Sequence, residues 1–362
     1  MNQKQFIKLL LLFLVVGGVG FAVYKRNNST WKSETTSERK LLPDLDVNAV
    51  AQISLKKDEN GVTLAKKNEI WVVKERNDYP ANFETISDFV QKARDAKVVQ
   101  TEPIGASQLA RMELVPPGKA TPSGLAVELK GSADKTLGSF ILGKFHVKPT
   151  ETATAWGGND GGWPDGRFAL VSDKTGTAKL ISEPFRETEA KPVLWLNKEF
   201  FHIEKAKAIA SVSTNAANSW KVARDSETAL WKLVDAKPGE QVDTNKLAAL
   251  NSVMSSAQFT DLAMNPKPEE TLLDHPLLVT IETFDNFTYV MKVGRKPGDD
   301  HYFTMTVNAN ISKERTPGKD EKPEDKAKLD KEFQGKAQKL EEKLKQEKRY
   351  EGWVYMLPGY NV

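Results

Sequence analysis

TISDFVQKARDAKVVQ, residues 85–100, and KLAALNSVMSSAQFTD, residues 246–261, are the two stretches from which the rest of the chain is read. Laid one over the other, Ile86 falls on Leu247, Phe89 on Leu250, Ala96 on Ala257 and Val98 on Phe259. Both carry apolar residues at helical spacing and then pass into a short strand-like exit. A pattern that recurs at a fixed distance predicts a repeated supersecondary unit, and the flanking sequence extends it in both directions.

Upstream, Ile70-Trp71-Val72-Val73 corresponds to Leu230-Trp231-Lys232-Leu233, and Val62-Thr63-Leu64 to Trp220-Lys221-Val222, each pair reading as the arms of a hairpin. Asn60-Gly61 and Asn68 punctuate the first copy as Asn215, Asn218 and Asp225-Ser226 do the second, while Tyr79-Pro80 and Lys237-Pro238-Gly239 break the chain before the helix. Downstream, Leu125-x-Val127-x-Leu129 lies over Leu277-x-Val279-x-Ile281, and the following strands end at Leu142-Gly143 and Val293-Gly294. The last strands are Phe168-Ala169-Leu170-Val171 and Phe303-Thr304-Met305-Thr306.

Alternation with period two, joined by short turns, predicts antiparallel sheet with one solvated face, and the helix of each copy is expected to cover the other face. The fold class expected is α+β: two similar units of antiparallel sheet, each covered by one helix, after an N-terminal transmembrane helix. The units are placed at residues 43–184 and 201–362, with a membrane anchor at 1–26, a polar linker at 27–42 and a connection at 185–200.

The anchor rests on FIKLLLLFLVVGGVGFAVY, Phe6 to Tyr24, whose uninterrupted apolar part from Leu9 is about 16 residues. A spanning helix wants roughly 20 residues, and Phe6 with a snorkelling Lys8 makes up the length. A signal anchor and a cleavable signal peptide both fit. Gly20-Phe21-Ala22 is a small-x-small cleavage signal, but it abuts Val23 and Tyr24 at the end of the apolar run, which favours an uncleaved anchor. Lys4 and Lys8 on one side face Lys25, Arg26 and Lys32 on the other, so charge leaves the orientation open. With a single span, the large C-terminal part is expected outside the cytoplasm.

Lys plus Arg (52) nearly cancels Asp plus Glu (49) over the 362 residues, and a net charge of +3 provides no field able to hold a phosphate backbone. Nucleic acid is therefore not expected as a partner. The absence of cysteine excludes disulfides, thiolate metal sites and cysteine nucleophiles.

A search for chemistry finds little. His146, His202, His275 and His301 are scattered, with no HExxH pattern, and no Walker loop, G-x-S-x-G elbow or dinucleotide fingerprint occurs. Acid pairs such as Asp274 with Glu282, or Asp299-Asp300, fit a glycosidase scheme on paper, but a chain this rich in acids supplies such pairs by chance. Trp71 and Trp231, recurring at matched points of an amphipathic strand, read as core packing in preference to ligand platforms. No catalytic residue, metal or cofactor is expected.

Two stretches depart from the repeat. WGGNDGGWPDG, residues 156–166, lies in a connection of about 24 residues where the second copy crosses in about 8. Connections longer than roughly 12–15 residues are uncommon unless they serve a function or lack order. Asp160 and Asp165 have the chemistry to hold a cation, and Trp156 and Trp163 to stack on a ligand; as an insertion in a repeated scaffold, the stretch reads instead as a contact surface particular to this chain. The second departure, about 312–350, is charged throughout, with Leu329, Phe333, Leu340 and Leu344 on one stripe, acids at its start and bases at its end. It predicts an amphipathic helix, either packed on its own domain or serving as a docking arm. The candidate interaction surface is thus Trp156, Asp160, Trp163, Asp165, Leu329, Phe333, Leu340 and Leu344.

The succession of a membrane-proximal anchor, a Val50-to-Ile53 strand, IWVVKERNDYPAN, a helix with an Ala-x-Val exit, a strand ending in Leu-Gly and the later WLNKEFFHIEKAKAIASVS resembles the DUF4340 family, a domain of unknown function. The resemblance runs over about residues 43–362, in two copies, and its motifs are hydrophobic framework. It implies a bacterial protein with one N-terminal membrane segment and an extracytoplasmic body, of a kind often encoded beside an ABC-type transporter permease and ATPase. It carries no catalytic residue onto this sequence. The function expected is that of a single-pass inner-membrane accessory protein facing the periplasm, held in the lipid bilayer through residues 6–24 and partnered by transporter components. A hydrolase using acidic residues and a periplasmic small-ligand sensor are the alternatives.

Overall fold

A computed structural model describes residues 39–119, 122–147, 163–171, 177–236, 239–240, 243–295, 300–318 and 321–359. The membrane segment of Phe6–Tyr24 lies outside the described residues, and among those described no helix is long and apolar enough to cross a membrane.

The fold is α+β, with two antiparallel sheets and few helices. The first half of the chain forms β1 (Gln52–Lys57), β2 (Asn60–Lys67), β3 (Ile70–Val73), β4 (Tyr79–Pro80), helix α1 (Phe83–Asp95), β5 (Val98–Pro103), helix α2 (Ala106–Arg111), β6 (Leu125–Lys130), β7 (Thr136–Val147), β8 (Pro164–Val171) and β9 (Thr177–Ile181). The second forms β10 (Ala206–Val212), β11 (Trp220–Ala223), β12 (Lys232–Leu233), helix α3 (Thr244–Ala249), β13 (Asp261–Leu262), helix α4 (Pro268–Thr271), β14 (Leu277–Thr283), β15 (Phe287–Val293), β16 (Asp300–Ala309), helix α5 (Pro323–Glu347) and β17 (Tyr355–Pro358). Six strands run in the order β1-β6-β7-β8-β9-β5, and six later ones in the same order, β10-β14-β15-β16-β17-β13. The hairpin of β2 and β3 has its counterpart in β11 and β12.

Pairing registers fix residue equivalences. Leu125 faces Leu142 as Leu277 faces Val293, matching the alternation of the sequence. Leu142 then faces Ala169, whereas Val293 faces Phe303, so Phe303 corresponds to Ala169 and not to Phe168. A shift of one residue reverses which side chains enter the core; accordingly Ala169 and Phe303 are buried while Phe168 is only partly covered. β9 is a strand that sequence alternation does not separate from its surroundings, lying next to irregular chain.

Two compact units divide the chain. One takes residues up to Val62 together with Glu84–Ala190, and the other Thr63–Phe83 together with Lys191–Val362. In the first, α1 buries Ile86, Phe89, Val90 and Ala93, the stripe expected from its spacing. Phe89 meets Phe185 edge-on at 5.7 Å, and Phe185 lies 6.3 Å from Phe140 of β7.

The second unit has a different cover. Its counterpart of α1 is the short α3 followed by a single 3-10 turn, Leu250–Ser252. Asn251 and the serines beyond it compete for backbone hydrogen bonds and weaken a longer helix. An aromatic cluster supplies packing instead: Phe200 meets Tyr355 at 4.7 Å and Phe259 at 5.2 Å, and Phe201 stacks on Phe303 at 6.0 Å. The β3–β4 segment belongs here because Tyr79 is buried edge-on against Trp353 at 5.0 Å and Phe259 at 5.8 Å. Arg76 also makes a two-pronged bond to Asp261, Nε to Oδ1 and Nη2 to Oδ2, both 2.8 Å.

One backbone device occurs in both units. A Cβ added to Gly143 would lie 2.3 Å from Met112 O, and one added to Gly294 would lie 2.0 Å from Thr271 O. Those carbonyls end α2 and α4, and each accepts the amide just after the glycine, Lys144 N at 2.9 Å and Arg295 N at 3.0 Å. Both helices then turn through a left-handed residue, Glu113 and Leu272, each with φ of 54°. The strand expected to end at Leu142-Gly143 runs on to Val147, so Gly143 lies at a bulge inside β7 while Gly294 directly follows β15, and each lets a short helix end against the sheet without a side chain between them.

Candidate functional site

Arg167 and His301 occupy equivalent registers on β8 and β16, and both reach the carbonyl of the close-approach glycine. Arg167 Nε donates to Gly143 O at 2.8 Å and Nη1 to Phe185 O at 3.2 Å; His301 Nδ1 lies 3.2 Å from Gly294 O. Burial pushes the Arg167 guanidinium down to about 10, because the low-dielectric surroundings disfavour its charge. These polar groups brace backbone, and among the described residues no buried side-chain nitrogen or oxygen lacks a partner.

Of the sequence-derived surface, Trp156 and Asp160 lie outside the described residues. Trp163 is 79% exposed, and the Arg186 guanidinium lies over its ring at 4.8 Å. Asp165, on β8, accepts from His146 Nδ1 at 2.6 Å across the β7–β8 pair. An indole half-capped by a cation beside an imidazole–carboxylate pair forms a polar edge with one apolar plate.

Leu329, Phe333, Leu340 and Leu344 lie on α5 and are all half-buried, in line with half-buried Ala337 and buried Glu347. The stripe therefore continues into a buried carboxylate, to which Tyr289 of β15 donates its hydroxyl. Burial pushes Glu347 above the ordinary carboxylate range, outweighing the Tyr289 hydrogen bond and the Lys343 cation that favour its charge. Lys343 stands 3.8 Å from both Glu347 and Glu204, at the side of a cleft of about 540 Å³ that also holds His202 and Tyr350. Glu347 is not legible in sequence, because its position continues the apolar spacing but its type is polar.

A second hollow, of about 490 Å³, opens beside β11 and α3. Arg224 stands at its base, 8% exposed, with Nε donating to Ala206 O at 2.7 Å and Nη1 to Glu227 O at 2.8 Å and Asn251 Oδ1 at 3.1 Å. Its guanidinium lies 4.5 Å over the ring of Trp231, whose Nε1 donates to the same Asn251 oxygen at 3.0 Å. Trp231 is buried, in keeping with its expected role in the core. Lys205, held by Asp285 at 3.2 Å, and the apolar Leu230, Leu247 and Ala248 complete the walls. Arg224 is not legible in sequence because a lone arginine at a strand end carries no pattern; the position of matching register in the first half of the chain is Lys66, an exposed residue paired with Glu69 at 2.6 Å.

Lys198 is a further cation whose charge burial disfavours. Burial pushes it down to about 8, and its Nζ donates to Thr260 O at 2.5 Å while lying 4.4 Å over the Phe259 ring. No group of three or more His, Asp or Glu side chains suited to holding a metal occurs among the described residues.

Comparison with known proteins gives one family. The sequence profile described as "Domain of unknown function (DUF4340)" matches residues 71–276, more than half of the chain, and the match draws on both compact units. No curated protein and no solved structure matches. On the length of that match, from the tryptophan of β3 to the proline before β14, this chain belongs to the DUF4340 family.

Proposed function

We propose that this protein is a single-pass bacterial inner-membrane protein whose body lies on the periplasmic side and acts by binding, as an accessory subunit of an ABC-type transporter or a related envelope assembly, with no covalent chemistry of its own. The observation that carries the reading is the apolar run Phe6–Tyr24, followed by a polar linker and then by two sheets. An anchor of that length fixes a folded body close to a bilayer. The use of Arg167, Arg224 and Glu347 as braces for backbone and tyrosine supports a binding role over catalysis. The matched six-strand orders support a duplicated scaffold in which each half offers a comparable frame. The transporter part of the reading rests on the family resemblance.

The test is affinity purification of the detergent-solubilised full chain from its native membrane, with partners identified by mass spectrometry. Recovery of permease and ATPase subunits in fixed proportion is the expected outcome. Recovery of the chain alone across several detergents, or of the chain in the soluble fraction, overturns it.

A further inference from the structure

We propose that the hollow beside β11 and α3 is a binding site for a small organic acid, its carboxylate on Arg224 and its apolar body against Leu230, Leu247 and Trp231. This goes beyond the accessory role and stands or falls separately from it. The hollow, about 490 Å³, is of the size that takes a small ligand, roughly 300–1,000 Å³.

The arginine defines the chemistry. Its Nε and Nη1 donors are taken by Ala206, Glu227 and Asn251, but Nη2 has no partner among the described residues. Since no buried side-chain nitrogen is unpartnered, Nη2 keeps an opening to solvent, although the residue as a whole is 8% exposed. Two N–H donors on a cation fixed by three hydrogen bonds and an indole face form a preorganised receptor for an anion, and a charge-assisted bond made there gains from the restricted water.

The surroundings narrow the class. Lys205 and the exposed carboxylate of Glu227 also line the hollow, but Lys205 is paired with Asp285 at 3.2 Å, so the donor left for an anion is the Nη2 of Arg224. Leu230, 84% exposed at the rim, with Leu247 and Ala248, offers apolar surface suited to an aromatic or short aliphatic body rather than to a phosphate or a sugar. The equivalent position in the first copy carries exposed Lys66 paired with Glu69, so the fold itself does not demand this arrangement.

The experiment uses the detergent-solubilised full chain and three probes, benzoate, phenylacetate and indole-3-acetate, each beside its uncharged amide. Ligand-observed saturation-transfer NMR and the melting temperature are recorded as functions of probe concentration. At least one acid is expected to bind and to raise the melting temperature with concentration by mass action, with its amide weaker by about tenfold or more. Arg224 is buried and its loss risks the fold, so the variant is Leu230→Glu at the exposed rim. It is expected to weaken the acid by about tenfold, whereas Leu230→Gln retains most of the binding. Equal binding of acid and amide, acid binding indifferent to Leu230→Glu, or no binding of any acid at about 10 mM, tenfold above a millimolar Kd, overturns the proposal.

Discussion

Replacing Gly294 by alanine places a methyl group 2.0 Å from Thr271 O and 3.1 Å from Leu273 Cδ2. Carbon and carbonyl oxygen approach no closer than about 3.3 Å even in a favourable C–H···O contact, so the end of α4 must retreat by more than about 1 Å. That carbonyl also accepts Arg295 N at 3.0 Å, a bond the retreat stretches or breaks. Overpacking costs about 1–3 kcal/mol and a lost hydrogen bond about 1 kcal/mol, so the substitution is expected to destabilise by about 2–4 kcal/mol. At about 2–4 °C per kcal/mol for a body of this size, the melting temperature falls by roughly 4–16 °C.

Gly143→Ala, with Met112 O at 2.3 Å and Leu114 Cδ2 at 2.7 Å, is expected to behave alike. Gly335→Ala makes the same chemical change within α5, where nothing lies within 4 Å, and is expected to stabilise by about 0.5–1 kcal/mol through helix propensity. The assay is thermal and urea unfolding of the three variants followed by circular dichroism. If Gly294→Ala and Gly143→Ala are neutral while Gly335→Ala stabilises, the close approach of short helix to sheet is refuted.

Three further outcomes follow from the buried polar groups. Burial raises the Asp261 carboxyl, but the Arg76 hydrogen bond and the Leu262 amide outweigh it and hold the group below the ordinary range; Asp261→Asn is expected to cost about 1–3 kcal/mol at neutral pH, with the difference vanishing as pH falls from about 4 through the lowered folded value, read by urea unfolding across pH. Glu347 has the opposite sign: its folded value is raised, so its contribution is greatest below about pH 4.3 and is lost as pH rises; Glu347→Gln, which can still accept from Tyr289, is expected to melt above the parent at neutral pH and to match it in acid. Arg167→Met leaves Gly143 O and Phe185 O without their donor and is expected to cost about 2–5 kcal/mol in urea unfolding, with Arg167→Lys recovering part of the loss.

The repeated strands Leu125-x-Val127-x-Leu129 and Leu277-x-Val279-x-Ile281 are legible in sequence because period-two alternation writes burial directly into residue type. The stripe of α1 is legible for the same reason at helical period. By contrast α2 and α4 span a turn or so each, too short for any period to register, and are held by carbonyls meeting the amides after Gly143 and Gly294. The hollow at Arg224 was not legible, since its side chains come from β11, from Trp231 and from the turn at Asn251, and nothing in their spacing brings them together. Trp163, just before β8, and Asp165, near its start, are legible in sequence as exposed residue types, but the partners they take in Arg186 and His146 are not.

By itself the sequence determined the class, α+β with antiparallel sheet, and the like succession of elements in the two halves, because hydrophobic periodicity and turn residues act locally and recur locally. Only the tertiary structure decided that Thr63–Phe83 folds with Lys191–Val362, through buried Tyr79 and the Arg76–Asp261 pair, and that Phe303 stands where Ala169 does. The physical reason is that packing and pairing register are chosen by whichever distant surface buries the side chain and satisfies its polar atoms best, and residues 185 positions apart in the chain exert no influence on one another until the fold brings them together.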